Sequence, residues 1–337
     1  LQCLIVHVPR LSLSGGNIIT MELCNEFITK GYKVILFDGF QFHLFEQADL
    51  KKRNKGVLNT FLNLLAFIGC SFVSLFSMQK VIATHHLTAM FSFVRPTYYA
   101  FVQDLEVDFY PNKIKRIGAF FWRNYLKSNV KIYTNRYLQL QVGLAGEATC
   151  KGAIFTNELL HPRVNTKFSD IDFFMVLRDG DYKGSGITLS VFQELYNKGY
   201  KVVLVNCSKQ KLDRKEYEQN IYSSMARSDF LSLLSRSKCF ICLSVWEGLG
   251  LPNIEAYLNG VAVISTPIPS ANLLASVSQT SISLLEKEVN VSNIVYQILE
   301  QYNCLDSTLE SSSTKVENIK KLRDDWIQNY FNIIIRK

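Results

Sequence analysis

The sequence predicts an α/β protein built from two doubly wound, Rossmann-like domains, and three observations carry that prediction. The chain has 337 residues, which suits two domains of ordinary size better than one. It is 48% apolar and 20% charged, enough apolar material for two cores and too little charge for a disordered chain. Short β-like runs also alternate with helical patterns, and this rhythm starts afresh in the second half.

In the first half, Leu4–Val8 reads as a strand ended by Pro9. A polar loop with Ser12, Ser14, Gly15 and Gly16 follows. Asn17 is the expected cap of a helix whose Ile19, Leu23 and Phe27 share a face, and Gly31 closes it. Further strands are expected at Lys33–Asp38, Lys80–Thr84, Tyr98–Gln103 and Val130–Thr134. The segment Gly56–Met78 carries no charge and follows the basic run at 51–55. It is long enough to span a bilayer, but Leu58, Leu62, Leu65, Ile68, Phe72 and Leu75 form one stripe. Asn59, Asn63, Cys70, Ser74 and Ser77 lie mostly opposite, so an amphipathic helix is expected, packed on the sheet or lying on a membrane.

After a connection near 158–169, the second half offers strands at Ile171–Leu177, Val202–Asn206, Cys239–Ser244 and Val261–Ile264. Helices are expected at Ile187–Asn197, through Ser235 with Asp229 as its cap, at Leu251–Leu258 and from Lys315 to Ile335. The expected organisation is one domain at 1–160, a second at 161–313 and a terminal helix at 314–337.

Charge is one-sided. Residues 1–165 hold 18 Lys+Arg against 10 Asp+Glu, whereas residues 166–337 hold 19 of each. A basic half points to an anionic surface or substrate, or is ordinary solvated surface. The eight cysteines show no paired zinc spacing and fit free thiols in a reducing cytoplasm. No secretory leader is expected, because Cys3–Val6 already reads as strand. No dinucleotide fingerprint follows the first strand, which speaks against an oxidoreductase of that type.

The most specific string is Glu247-Gly248-Leu249-Gly250-Leu251-Pro252-Asn253-Ile254-Glu255. A strand leads into a Gly-rich turn, and Pro252 sits in the first turn of the next helix. Loop amides and a helix N-terminus suit a diphosphate, and carboxylates on either side suit sugar and ribose hydroxyls. The string "EGLGLPNIEAYLNGVAVIST" resembles the E-x7-E signature of glycosyltransferase family 4. That resemblance implies the two-domain GT-B fold facing across a cleft, with Glu247 on the donor sugar, Glu255 on the ribose, and Gly248, Leu249, Gly250 and Leu251 around the diphosphate. The string "VLRDGDYKG" resembles the family's Arg…Lys-Gly motif and makes Arg178 and Lys183 the cations that neutralise a departing diphosphate.

Two weaker likenesses lie in the first half. "RLSLSGGN" resembles the family's Gly-Gly loop, which assigns Gly15 and Gly16 to the donor phosphates. "YYAFVQDLEVDFYP", with "VIATHHLTA" before it, resembles the bacterial surface-polysaccharide rhamnosyltransferase branch. Many relatives carry a His where this chain has Gln103-Asp104, so Asp104 is the first candidate for the catalytic contact and His85 or His86 the second. The two histidines also read as strand-end polar residues, and Glu106 and Asp108 as acceptor contacts or solvated acids.

The resemblance implies a retaining transferase that takes a nucleotide-diphosphate sugar at 170–300 and a glycan or lipid-linked acceptor at 1–155, with 1–160 the acceptor-binding, membrane-proximal domain and the helix at 314–337 crossing back to it. Arg and Lys stand in for a metal ion, so no metal and no cofactor is expected, and no nucleic-acid partner. An anionic membrane surface is an expected partner, with the protein peripheral at the cytoplasmic face. Within the same frame, a catalytically silent nucleotide-sugar-binding or scaffold protein is the alternative.

Overall fold

The computed structural model describes residues 2–52, 56–95, 99–128, 130–143, 150–160, 169–210, 212, 215–278, 280–286, 290–305 and 311–335. The chain forms two compact units, Leu1–Thr156 with Arg323–Lys337 (unit 1) and Asn157–Leu322 (unit 2). The expected start of a strand at Tyr98, part of the basic run at 53–55 and most of the connection at 158–169 lie outside the described residues.

Unit 1 runs β1 (Cys3–His7), α1 (Gly15–Thr29), β2 (Lys33–Phe37), β3 (Phe42–Leu44), α2 (Val57–Phe76), β4 (Lys80–Ala83), β5 (Tyr99–Val102), α3 (Lys115–Ser128), β6 (Val130–Tyr133) and α4 (Arg136–Val142). Its sheet has the order β3-β2-β1-β4-β5-β6, parallel except for β3. Unit 2 runs β7 (Ile171–Leu177), α5 (Ser185–Asn197), β8 (Val202–Asn206), β9 (Ile221–Ser223), α6 (Arg227–Ser235), β10 (Ser237–Cys242), α7 (Leu251–Leu258), β11 (Ala262–Ser265), α8 (Pro269–Ala275), β12 (Ile282–Leu284) and α9 (Val291–Asn303). Its sheet has the order β12-β11-β10-β7-β8-β9, parallel throughout. Read from the first strand of each unit, the two orders are the same, and each reverses between the first and fourth strands. In such sheets ligands bind beyond the carboxyl ends of the strands at that reversal. In unit 1 it lies between β1 and β4, and in unit 2 between β7 and β10.

The central strands are buried apolar runs, as a sheet covered on both faces requires, whereas the short edge strands β3, β9 and β12 are partly exposed. In unit 2, Phe173, Met175, Val202, Leu204, Cys239 and Ile241 form the centre of the core with Phe192 and Leu195 of α5. In unit 1, Ile19, Leu23 and Phe27 of α1 are buried. The cap of α1 is Ser14, not Asn17: the Ser14 side chain accepts from the Asn17 amide. Gly15 and Gly16 therefore form the first turn of the helix instead of the loop before it. Asp229 does not cap α6 either; it lies in the first turn, and the helix starts at Arg227 after an uncapped Ala226.

Helix α10 (Ser312–Ile335) belongs to both units by sequence. In unit 2, Asn318 donates to the Tyr257 hydroxyl and the Val277 carbonyl. In unit 1, the Trp326 indole donates to the Tyr133 carbonyl at 2.7 Å, Tyr330 accepts from the Tyr133 amide, and Arg323 pairs with Glu22 and Glu26.

Helix α2 is amphipathic, but its faces are reversed relative to a helix of a closed soluble core. The side it buries is small and polar: Ala66, Cys70, Ser71 and Ser74. Ser71 and Ser74 donate to the carbonyls of Leu87 and Thr88, and Cys70 packs on Ile5, Phe37 and Val81. Gly69 lies so close to Gly39 that an added Cβ would overlap its carbonyl, and Gly39 itself holds φ 100. Of the expected stripe, Leu58, Leu65 and Phe72 are exposed and Leu62, Ile68 and Leu75 half-buried. Among the described residues α2 is the one helix long and apolar enough to cross a membrane. Its hydrogen-bonded, close-packed inner face ties it to the sheet of unit 1.

Candidate functional site

Parallel pairing of β7 with β10 sets Phe174 opposite Phe240 and Met175 opposite Ile241. The residues that follow these two strands therefore emerge side by side at the reversal point of unit 2. Arg178 follows β7, and Lys183 lies in a short 3-10 turn, Asp181–Lys183, before α5. Ser244 and Glu247 follow β10. Glu247 is 4% exposed, and its two oxygens are divided: Oε1 pairs with Arg178 and accepts from Ser244 Oγ at 2.9 Å, while Oε2 pairs with Lys183. The amides of Val245 and Trp246 donate to the Tyr182 carbonyl, which fixes the loop after β10 against the turn that carries Lys183.

This cluster holds two cations and one carboxylate, an excess of one positive charge at the mouth of the reversal. The Arg178 Nε is buried and has no hydrogen-bond partner, as have Ser270 Oγ and Asn253 Oδ1 at the neighbouring turn. Buried donors are normally satisfied, so the free Arg178 Nε and Ser270 Oγ donors mark a place suited to an acceptor-rich ligand, whereas the Asn253 oxygen is an acceptor. The turn depends on Gly250, which holds φ 91 and passes so close to Ser270 that an added Cβ would lie 2.6 Å from its Oγ. Leu251 and Pro252 then open α7.

Glu255 lies one to two turns into α7 and is 4% exposed. It does not join Glu247. Arg227, the first residue of α6, holds it in a two-pronged pair, Nη1 to Oε2 at 3.0 Å and Nη2 to Oε1 at 2.6 Å. The structure thus brings together Arg178, Lys183 and Glu247, with Gly248, Leu249, Gly250 and Leu251 leading from them to a second ion pair. Sequence reasoning missed Arg227 and Ser244. Nothing local signals Arg227, whose partner is 28 positions away.

In unit 1 the expected residues form a different kind of site at the carboxyl ends of β4 and β5. His86 Nδ1 lies 2.6 Å from Glu106 Oε2, His86 Nε2 lies 2.5 Å from the Tyr110 hydroxyl, and the His86 amide donates to Glu106 at 2.8 Å. His85 Nε2 is 3.8 Å from the same carboxylate and its Nδ1 accepts from the Leu87 amide. Burial is the main cause that pushes the Glu106 carboxyl up to about 7, with Asp104 adding to it and His85 and the His86 amide opposing. Burial pulls His86 down to about 4. The short Glu106–His86 contact therefore joins two groups whose charged forms burial disfavours. His85, His86 and Glu106 offer three ligand atoms within 4.8 Å of one another. The 2.6 Å contact between two of them is that of a hydrogen bond, closer than two ligands of one ion normally stand.

Gln103 donates to Thr20 Oγ1 and the Thr84 carbonyl, and its side chain covers Gly16. Asp104 is half-buried and accepts from the Leu105 amide at 2.8 Å. Before α1, Arg10 and Leu11 hold φ 57 and 44, a left-handed conformation unusual for side-chain-bearing residues. Arg10 donates to Asn59 Oδ1 at 3.0 Å, which links this loop to α2.

Residues 158–298 match the model of the family described as glycosyl transferases group 1. No curated protein matches the sequence significantly. Among solved structures, the chain is similar to a sucrose-phosphate synthase from Thermosynechococcus elongatus, with a TM-score of 0.68 at 14% identity over 100% of this chain and 99% of that one. It is similar to Anabaena HepE in complex with UDP-glucose, with a TM-score of 0.64 at 12% identity and 100% coverage of both chains. WaaG, a glycosyltransferase involved in lipopolysaccharide biosynthesis, superimposes with a TM-score of 0.60 at 11% identity over 96% of this chain and 95% of that one. The fold is that of the GT-B glycosyltransferases: two α/β domains with parallel sheets. The family match lies within unit 2, the unit that holds Arg178, Lys183, Glu247 and Glu255, and supports sugar transfer in general terms.

Proposed function

We propose that this chain is a retaining glycosyltransferase that moves a sugar from a nucleotide-diphosphate sugar to a hydroxyl of a glycan or lipid-linked acceptor, in the synthesis of a surface polysaccharide. The observation that carries the reading is the Arg178–Glu247–Lys183 cluster at the strand-order reversal of unit 2, with its excess positive charge and its buried, unpartnered Arg178 Nε. A family whose neighbours include a UDP-glucose complex supports a nucleotide-sugar donor.

In this reading Arg178 and Lys183 hold the donor diphosphate, Glu247 orients sugar hydroxyls, and Glu255 takes the ribose diol once Arg227 yields its oxygens. The anomeric C–O bond to phosphate breaks as the acceptor oxygen bonds to the same face of the sugar. The acceptor proton passes to the departing phosphate oxygen. The two fixed cations stabilise the charge that grows there, so no metal ion is required. The acceptor is assigned to unit 1, with Asp104 the first candidate for the contact near the reacting carbon and His85 or His86 the second. The resemblance of residues 98–111 to the rhamnosyltransferase branch tilts the donor toward a deoxyhexose and leaves hexoses open. The protein is read as peripheral at the cytoplasmic face of an anionic membrane.

A thermal-shift screen over uridine, guanosine and thymidine diphosphates and their hexose and deoxyhexose conjugates tests the donor. A shift with one nucleotide series, followed by transfer or slow hydrolysis of its sugar with retained configuration, is expected. Donor binding with neither transfer nor hydrolysis would make the chain a silent binder, and no shift with any nucleotide would sink the reading.

A further inference from the structure

We propose that unit 1 docks on an anionic lipid bilayer through one continuous face made of α2, the loop after β4 and α3. This deepens the membrane-proximal reading above and rests on it only for the biological setting; the surface itself is argued from the structure.

The first observation is the outer face of α2. Leu58, Phe61, Leu64, Leu65, Phe72 and Phe76 are exposed and fall within one side of the helix at helical spacing. The helix turns its serines inward and its phenylalanines outward, the reverse of what water selects. The second is a line of rings that carries this face onward. Phe76 stacks on Phe72 at 6.3 Å, Phe72 meets Phe91 at 5.3 Å, Phe91 meets Phe93 at 6.5 Å, and Phe93 meets Phe120 of α3 at 5.6 Å. The apolar surface is therefore one patch across two helices, far beyond the scattered apolar residues of an ordinary surface.

The third observation selects the occupant. On α3 the exposed positions Arg116, Phe120, Arg123 and Lys127 recur at steps of four, three and four, which puts a cationic ridge around the ring that ends the aromatic line. Residues 50–131 contain 12 Lys+Arg and 3 Asp+Glu. Of those acids Glu106 is buried with His86, and Asp108 is paired with Lys115 at 2.8 Å. A face that is apolar at its centre and cationic at its edge fits the acyl–headgroup boundary of an anionic leaflet. A protein partner of that breadth would need acidic residues and a shape to match, whereas a fluid bilayer supplies both components without one.

The test uses the full chain and vesicles of phosphatidylcholine alone or with an equal part of phosphatidylglycerol. Sedimentation with the anionic vesicles at low salt, reversed by added salt, is expected. The pair Arg116→Glu and Arg123→Glu lies outside the site residues and on exposed positions, and should weaken binding at least ~10-fold. Phe72→Ser with Phe76→Ser should weaken it further and leave less of it recoverable by lowering salt. Equal binding to neutral vesicles, no binding at low salt, or unchanged binding by the α3 pair would overturn the proposal. So would light scattering that shows these substitutions dissolving a dimer of the chain instead. The nucleotide thermal shift is measured on the same variants. Loss of vesicle binding with the shift intact bears on this surface alone, and a missing nucleotide shift in a chain that still binds vesicles bears on the donor reading alone.

Discussion

The two units share one strand order and differ in what they do with their surfaces. Of the 22 exposed large apolar side chains among the described residues, 18 lie in unit 1 and 4 in unit 2. Unit 2 instead pairs its charges: Glu247 with Arg178 and Lys183, Glu255 with Arg227, Asp170 with Arg236, and Asp172 with Lys238. The same frame thus supports a polar, cation-rich site in one copy and a greasy, basic face in the other. What a doubly wound sheet fixes is where loops emerge; the residues placed there decide the chemistry.

The largest expected effect lies in the packing of unit 1. Trp326 is fully buried and its indole is hydrogen-bonded to the end of β6. Trp326→Ala leaves a large cavity and should cost about 3–5 kcal/mol in denaturant unfolding. Hydrogen exchange should report the loss in β5 and β6 while amides of β7 and β10 keep their protection. Uniform loss through both sheets would show that the units unfold as one, and the comparison between them would have to be made at the level of surfaces only.

Glu247→Gln comes next and concerns unit 2. The amide keeps the shape and removes the charge shared by Arg178 and Lys183. Transfer should fall ~100- to 1,000-fold, the usual cost of losing one fixed electrostatic contact in a site. Inorganic diphosphate should bind more tightly, because two cations are then left without their internal counter-ion. If transfer stays at the original rate, Glu247 is only that counter-ion, and the donor sugar must be held elsewhere.

A smaller effect returns to unit 1 and its buried histidines. His7 closes β1, is fully buried, and neither ring nitrogen makes a hydrogen bond of normal geometry. Burial pulls it from 6.5 down to about 3, and the nearby Thr88 backbone offsets only part of this. The unfolded chain therefore binds a proton between those values that the folded chain refuses. The stabilising contribution is complete above 6.5 and is lost as pH falls toward 3. At pH 5 the loss is about 2 kcal/mol. His7→Leu should remove it, so that the fall in stability from pH 7 to pH 5 is smaller by that amount. An unchanged acid limb would place the sensitivity in His85, His86 and Glu106, where two imidazoles and one acid shift in opposing directions.

Much of unit 2 is legible in the sequence. Leu251–Leu258 is a helix as expected, because Gly250 supplies the turn and Pro252 the first-turn geometry. The core strands were found within one or two residues, since continuous apolar runs have few other uses. The three-residue strands β3, β9 and β12 were not, because so short a segment shows no period. The order of polar and apolar positions in α2 revealed two faces but not which one meets the sheet. That is decided by close approach at Gly39 and Gly69 and by carbonyls of Leu87 and Thr88 waiting for hydroxyl donors. The cap of α1 was misplaced by three positions for a related reason: Ser14 and Asn17 are both good caps, and only the backbone path from Arg10 onward chooses between them.

The smallest expected effect concerns the contact no pattern announced. Arg227 is over half exposed yet holds both oxygens of a carboxylate that is almost wholly buried. Exposed pairs of this kind contribute about 0–1 kcal/mol. If Glu255 serves a ribose diol, that diol must take hydrogen-bonding positions which Arg227 now fills, and the arginine is a mild competitor. Arg227→Met removes the competing donors, together with the guanidinium that lies over the Phe230 ring, and keeps an unbranched apolar side chain at that position. Nucleotide affinity, measured by calorimetry, should then tighten by no more than ~5-fold. A loss of ten-fold or more would mean that Arg227 stays and touches the nucleotide. Unit 2 would then use three cations on its donor where the sequence motifs identify two.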